Sequence, residues 1–257
     1  MNASATNTVI RTLVSRVPGR FSSEFGLNLP ARREKDVFLW FFAALLYGTR
    51  ISGSIVAKTH AEFVRRGLTS PEAIVKTGWA GLVEALDAGG YVRYDFKTAT
   101  KLLDVMNHLL DQYDGDLQRL HDVSSDPPDL ESRLKGLGKG IGEVTVQIFL
   151  RELRGIWSKA QPALSPLAVL AARDLALCSR MNGNGGDAAV ERLRGLWKRA
   201  GVKETSFIDF ESTLVRLGRD YCRRRKRDCP MREFCRGQRM GRLARGGRYG
   251  RGGGKHP

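Results

Sequence analysis

Glycines crowd one short stretch of the sequence, residues 136–142, directly before an apolar helical pattern. A hairpin between two helices could turn at residues 136–138 or at residues 140–142. The second position is favoured, because the apolar stripe of the following helix then begins one turn beyond Gly142. It also leaves an apolar stripe for a preceding helix, which can pack antiparallel against the next one. The sequence therefore predicts a helical hairpin that turns at residues 140–142.

Phosphate binding is the chemistry that this hairpin favours. Gly140 and Gly142 lack a Cβ, so backbone N–H groups around Ile141 can approach an anion closely. The start of the second helix adds unpaired N–H groups and the positive end of its dipole. Lys139 stands where its ammonium group can reach a neighbouring phosphate. A tight turn without a ligand is the alternative, since glycines between helices usually serve only that purpose.

The net charge of +16 is unevenly distributed along the chain. From Cys222 to Pro257 there are thirteen Lys or Arg residues against Asp228 and Glu233, so this part carries +11 and the remainder +5. Residues 237–257 are rich in Gly and Arg and cannot bury a core, so we expect a disordered tail. This tail either clamps phosphates of single- or double-stranded nucleic acid without regard to sequence, or is solvated with no partner.

The elements that position these groups are predicted to be helices. Helical periodicity runs through nearly the whole sequence, and no alternating run favours a sheet. The most apolar segment, residues 37–48, is too short to span a membrane, so it is predicted to be a buried core helix. The N-terminus lacks the features of a signal peptide. We therefore expect an all-α protein in the cytoplasm, associated with the nucleoid, with no membrane partner and with reduced thiols.

Several segments resemble one known family. The segment "KGIGEVTV", residues 139–146, is similar to the "LxGhGxxTA" motif of the endonuclease III superfamily of DNA base-excision repair glycosylases. Thr145 takes the threonine position, and Val146 replaces the alanine. The segments "GGYVRYDFKTATKLL" and "LVRLGRDYCRRRKRDC" resemble later parts of the same family. Their order and spacing agree with those of the family over roughly residues 8–235. Several motifs in one order are stronger evidence than any single motif.

The resemblance implies an endonuclease III-like two-domain helical fold. A six-helix barrel with the helix-hairpin-helix would occupy residues 34–155. A second helical domain with a cysteine loop would combine residues 1–33 with residues 156–236. The family fold implies a monomer that binds damaged or distorted double-stranded DNA, with a damaged base turned out of the stack. The hairpin residues Lys139, Gly140, Ile141 and Gly142 would then contact the DNA backbone.

The catalytic groups of the family are missing at the matching positions. Bifunctional members place a lysine directly before the threonine, where its amine attacks the sugar, but this chain has Val144. Most active members carry an aspartate at the start of the next helix, where this chain offers Pro162 or Ser165. The next acid, Asp174, is expected to be a solvated residue inside that helix. The chain is therefore either a glycosylase with weak or no cleavage at abasic sites, or a non-catalytic binder of damaged DNA.

One further DNA contact follows from the resemblance. Thr49 takes the place of the glutamine that many relatives insert into the duplex, and Arg50 follows it. Arg50 is a candidate contact to a phosphate or a base, with a solvated arginine as the alternative. The five basic residues 223–227 could also lie on DNA phosphates.

The cysteines resemble an incomplete metal loop. Cys222, Cys229 and Cys235 have the spacing C-x6-C-x5-C, whereas the family's iron–sulfur loop is C-x6-C-x2-C-x5-C. A 4Fe-4S cluster on these three thiolates needs a fourth ligand, for which Asp228 or Cys178 is available. Zinc with three sulfurs and one other ligand is the second possibility, and a loop without metal is the third. Cys178 itself lies on an apolar stripe and is predicted to be buried.

Overall fold

The computed structural model describes residues 3–49, 51–178, 185–203 and 205–236. In these ranges the chain is all-α, with eleven α-helices and no β-strand, which confirms the predicted fold class. The helices are α1 (Ala3–Arg16), α2 (Glu34–Tyr47), α3 (Gly53–Arg65), α4 (Pro71–Ala88), α5 (Asp95–Tyr113), α6 (Leu117–Val123), α7 (Pro127–Gly136), α8 (Glu143–Leu153), α9 (Pro166–Asp174), α10 (Asp187–Ala200) and α11 (Phe207–Leu217). A π-helical segment, Gly218–Cys222, follows α11 directly. The tail, residues 237–257, lies outside the described ranges.

The chain divides into two compact units. The larger unit, Arg20–Pro162, contains α2 to α8. The smaller unit joins the described residues of Met1–Gly19 and Ala163–Pro257, and it contains α1 and α9 to α11. The boundaries that the resemblance implies, at residues 34 and 155, both lie inside the larger unit.

Helix α2 forms much of the core of the larger unit. Every residue from Asp36 to Leu46 is buried, which confirms the prediction of a core helix. A helix that is apolar on all sides is stable only where other elements cover each of its faces. Trp40 Nε1 donates a 3.0 Å hydrogen bond to the Phe149 carbonyl oxygen in α8, so the second helix of the hairpin is held against this core. Within the described ranges, no helix has the length and apolar character needed to cross a lipid bilayer.

Polar caps set the starts of several helices. Ser70 accepts a 3.3 Å hydrogen bond from the Ala73 N–H at the start of α4, and serine is one of the residue types preferred at this position. Asp126 accepts one of 2.8 Å from the Asp129 N–H at the start of α7. Gly78 lies inside α4 and kinks it rather than separating two helices. Gly78 has φ +72° and ψ 173°, a conformation that glycine adopts without strain, so it interrupts the helix without ending it.

In the smaller unit, α9 and the π-helical segment approach each other closely. A Cβ on Gly218 would overlap the Leu167 carbonyl oxygen, so only glycine fits at this position. Farther along the chain, Glu233 pairs with Arg16 of α1 at 2.5 Å, and the Pro230 carbonyl accepts a 2.8 Å hydrogen bond from Arg16. The chain around the cysteines is therefore fixed to helices of its own unit.

Candidate functional site

The hairpin turns where the sequence predicts. Helix α7 ends at Gly136 and α8 begins at Glu143, so residues 140–142 lie in the turn directly before α8. Gly140 has φ +87°, which a residue with a side chain adopts only with strain. Ile141 is buried, and its N–H donates a 3.3 Å hydrogen bond to the Gly138 carbonyl, so its side chain anchors the turn. Ile141 therefore supports the turn while its glycine neighbours are exposed.

The N-terminus of α8 is open to solvent. Gly142 is the capping residue and supplies no side-chain acceptor. The first helical hydrogen bond runs from the Val146 N–H to the Gly142 carbonyl at 3.2 Å. The N–H groups of Glu143, Val144 and Thr145 come before it, so they have no acceptor within the helix. Because α7 and α9 begin with side-chain caps, α8 differs from its neighbours in leaving these donors free for an anion.

Charges of both signs surround the turn. Lys139 is exposed, as expected for a side chain that reaches a phosphate. Glu143 is also exposed, and it places a negative charge at the same helix start, where it would repel a phosphate. The ammonium group of Lys135 lies 3.7 Å from the Glu143 carboxylate and offsets part of this charge. The turn can therefore hold an anion, but Glu143 opposes it.

Helix α5 contributes a lysine beneath the turn that the sequence did not indicate. Lys101 Nζ donates a 3.0 Å hydrogen bond to the Leu45 carbonyl at the end of α2. Its Cδ would lie 3.3 Å from a Cβ on Gly140, so its aliphatic chain packs under the hairpin. Burial lowers the pKa of Lys101 from its ordinary value of 10.5 to about 8. Leu45 and Gly140, the two contacts of Lys101, are distant from it in the sequence, so no local pattern could have revealed them.

The end of α2 is held by side-chain hydroxyl groups. Tyr91 donates a 3.0 Å hydrogen bond to the Leu46 carbonyl, and its hydroxyl also bonds to that of Thr49. Thr49, the position at which the resemblance places an inserted glutamine, also donates a 3.0 Å hydrogen bond to the Leu46 carbonyl and is thereby held at the end of α2. Arg50, the candidate DNA contact that follows, lies outside the described residues.

No amine occupies the position at which the resemblance would place a nucleophilic lysine. Val144, which stands there, is 61% exposed at the start of α8. Lys159 follows α8 in the sequence, but its ammonium group donates to the carbonyls of His121 and Asp122 at 2.8 and 3.1 Å. These bonds place Lys159 at the C-terminal end of α6, where a lysine stabilises the last carbonyls of a helix. Lys159 therefore has a structural role in the larger unit.

The position of the family's aspartate is occupied by a helix cap. Ser165 precedes α9, and its hydroxyl accepts a 3.2 Å hydrogen bond from the Ala168 N–H. The side chain is buried, and it satisfies one of the donors at the helix start. The alternative position, Pro162, offers only its carbonyl, which accepts a hydrogen bond from Arg154. Neither residue can balance positive charge on a sugar.

The cysteine loop keeps its thiols free. Cys222 and Cys229 are half-buried, Cys235 is buried, and none of them forms a disulfide. Burial raises the pKa of Cys222 well above its ordinary range, and Asp174, Cys229 and Cys235 raise it further. In the described ranges, no three His, Cys, Asp or Glu side chains converge on a point where one metal ion could bind.

Asp174 was wrongly expected to be a solvated residue inside its helix. It is the last residue of α9 and is half-buried, and its carboxyl group lies near enough to the Cys222 thiol to help raise the pKa of that thiol. Of the two candidate fourth ligands, Cys178 is buried, as predicted, and interacts with Arg192. Asp228 is exposed and lies directly before Cys229. The sequence missed this pair because Asp174 and Cys222 meet only through packing between helices.

The basic run between the first two cysteines is mostly exposed. Arg223, Arg224, Arg225 and Arg227 face solvent, whereas Lys226 lies over the ring of Tyr221 at 5.5 Å. Exposed arginines can contact phosphates directly, as the sequence suggests for this run.

No protein-family model matches this chain, and no curated protein matches its sequence.

Proposed function

We propose that this protein is a DNA-repair protein that binds damaged or distorted double-stranded DNA through the turn at residues 139–142. The observation that carries the proposal is the open start of α8. Its free N–H groups follow directly on two exposed glycines and one exposed lysine. This combination favours an anion such as a phosphate oxygen, because the donors are backbone groups at the positive end of a helix dipole.

The proposal extends to an endonuclease III-like arrangement of the chain and to a location with the nucleoid. Three features support it: the all-α fold, the division into two compact units, and a hairpin in the register of the family motif. The exposed arginines of residues 223–227 supply further phosphate contacts without sequence preference.

Two positions favour binding over strand cleavage. Val144 has no amine, so a Schiff base cannot form there. Ser165 uses its hydroxyl to cap α9 and has no negative charge. Base release without strand cleavage needs charge stabilisation at the sugar, for which a carboxylate is the usual solution. A non-catalytic binder is therefore the form of the proposal that the site supports best, and a glycosylase of narrow range is the second candidate.

The test compares two glycines with the same local geometry. Gly142 caps α8 and Gly186 caps α10; both have extended backbone and open space where a Cβ would lie. Gly142→Leu should reduce duplex affinity by at least about tenfold by blocking approach of the phosphate, whereas Gly186→Leu should leave it unchanged. Affinity is measured by fluorescence anisotropy on intact and damaged duplexes, and folding by circular dichroism. Equal affinity of the two folded variants would contradict the proposal.

A charge variant gives an independent measurement. Lys139→Gln should weaken binding and reduce the slope of log affinity against log salt by about one phosphate contact. An unchanged slope would show that Lys139 does not contact a phosphate.

A further inference from the structure

Two aromatic side chains of the larger unit lie against each other on the surface. Trp79 belongs to α4 and Phe96 to the first turn of α5, and their ring centroids are 5.3 Å apart with the ring planes inclined by 39°. Trp79 is 43% exposed and Phe96 58% exposed. Large aromatic side chains usually bury most of their area in a core. Adjoining exposed apolar side chains, unlike single ones, therefore indicate a binding surface.

Hydrogen bonds hold this aromatic pair in one arrangement. Trp79 Nε1 donates a 3.1 Å hydrogen bond to the Thr100 hydroxyl oxygen, one turn beyond Phe96 in α5. The Thr100 hydroxyl in turn donates a 3.0 Å hydrogen bond to the Phe96 carbonyl. Because the indole N–H is used within the pair, what the pair offers a ligand is ring surface. A surface that is already ordered loses little conformational entropy when a ligand binds.

The charges beside the pair are mostly positive. Within three residues of either ring in the sequence there are three basic residues, Lys76, Arg93 and Lys97, and one acidic residue, Asp95, which gives a net charge of +2. The three basic side chains are exposed. Asp95 accepts a 2.7 Å hydrogen bond from the Phe96 N–H, so part of its carboxylate is used at the start of α5. Positive charge around aromatic rings suits a ligand that has both negative groups and flat rings.

Helix α5 connects the aromatic pair to the hairpin. Lys101, which packs under Gly140, lies five residues beyond Phe96, or about 7.5 Å along the helix axis at 1.5 Å per residue. Lys97 lies one turn before Lys101 on the same helix and is exposed. The aromatic pair and the hairpin are therefore neighbouring parts of one unit.

We propose that Trp79 and Phe96 form a stacking surface for the unpaired bases of single-stranded DNA. Lys76, Arg93 and Lys97 attract the phosphates of the strand. Paired bases stack on one another and present only their edges in the grooves, so a ring face on the protein can stack only with an unpaired base. Since every base has such a face, the surface binds without sequence preference. This site adds to the proposed function and does not depend on it.

The test uses the full chain and two labelled single strands of equal length, about ten nucleotides. One is oligothymidylate, and the other consists of abasic sites, which keep the phosphates but have no bases. Fluorescence anisotropy should show that the wild type prefers oligothymidylate. Trp79→Leu and Phe96→Leu should each weaken the binding of oligothymidylate by about fivefold or more and leave that of the abasic strand unchanged. Trp79→Phe, which keeps a ring, should retain most of the preference.

Two controls separate stacking from other effects. Val123→Ala truncates an exposed apolar side chain at the end of α6 and should behave as the wild type. Gly142→Leu should keep the preference for oligothymidylate even where it weakens duplex binding, because the aromatic pair lies outside the hairpin. Circular dichroism checks that each variant is folded.

Three results would overturn the proposal. The wild type could bind both strands equally, or the folded Trp79→Leu variant could keep the full preference for oligothymidylate. Sedimentation could also show a dimer of the wild type that Trp79→Leu abolishes, with no preference for bases, which would assign the surface to a second copy of the chain.

Discussion

The ammonium group of Lys101 donates a 3.0 Å hydrogen bond to the Leu45 carbonyl, and the same side chain supports the hairpin under Gly140. One residue of α5 thereby connects the end of the core helix α2 to the turn that is proposed to bind DNA. The hydrogen bond compensates in part for the burial of a charged group, which otherwise costs free energy. Lys101 is thus a positioning residue for the hairpin.

Lys101 predicts a stability that rises in alkaline solution. Its pKa is about 8 in the folded protein, against an ordinary value of 10.5, so between these values the unfolded chain binds more protons than the folded one. The free energy of unfolding should therefore increase with pH over this window, by about 1–3 kcal/mol. Urea unfolding of the wild type and of Lys101→Met measures this increase. The variant keeps most of the aliphatic chain but should lack the increase; an equal slope in both would contradict the assignment.

Glu143 predicts a variant that binds DNA more tightly. Its carboxylate lies at the open start of α8, where it repels an incoming phosphate. Glu143→Gln should tighten duplex binding by about two- to fivefold at low salt, as expected for one charge at a helix end. The matched control is Glu131→Gln on α7. The Glu131 carboxylate lies 4.0 Å from the ammonium group of Lys135, as a partner of the same lysine, but it is not at the start of α8. Tighter binding in both variants would indicate only a general effect of charge.

The absence of an amine at Val144 predicts weak covalent trapping. Abasic duplex and borohydride should yield little covalent complex with the wild type, because Lys159 is hydrogen-bonded at the end of α6. Val144 is exposed, so Val144→Lys fits without repacking and should produce trapping if the sugar lies at the family position. Gel electrophoresis separates the complexes. Efficient trapping by the wild type, lost in Lys139→Gln or Lys159→Gln, would show that another lysine attacks the sugar.

His60 predicts a loss of stability in mild acid. The ring is buried against Phe25, with centroids 4.4 Å apart, and burial lowers its pKa from 6.5 to about 4. Between these values the unfolded chain binds a proton that the folded protein does not, so stability falls as the pH drops through this window. Between about pH 6.5 and about pH 5 the loss should be about 2 kcal/mol. Urea unfolding of His60→Leu should show a loss smaller by this amount; equal losses would contradict the role of His60.

Local signals in the sequence predicted local structure well. The register that starts α8 after Gly142 is the one observed, and the glycine at that position directly precedes the helix as its spacing predicts. These features depend on neighbouring residues, so a short stretch of sequence contains the whole cause. The kink at Gly78 could not be predicted in this way. A glycine in a helical pattern either ends the helix or only bends it, and packing against distant residues decides between the two.

The parts of the site that were missed depend on contacts between distant segments. Lys101 meets Leu45 across 56 residues, and Asp174 meets Cys222 only because α9 packs along the π-helical segment. The residue type predicted a solvated Asp174, because aspartates are usually solvated unless they are paired, but its side chain is half-buried. Val144 and Ser165 were identified as departures from the family, but the capping role of Ser165 became visible only in the structure.

The side-chain hydrogen bonds at the end of α2 affect how this helix end unfolds. The carbonyls of Leu45 and Leu46 accept hydrogen bonds from Lys101, in the second turn of α5, and from Tyr91, in the segment before α5. Unwinding the last turn of α2 therefore requires α5 to separate from the core. The amides of this turn should exchange with deuterium only when the whole unit unfolds, rather than by fraying from the helix end. Slow exchange would show that the end of α2 beside the hairpin does not unfold locally.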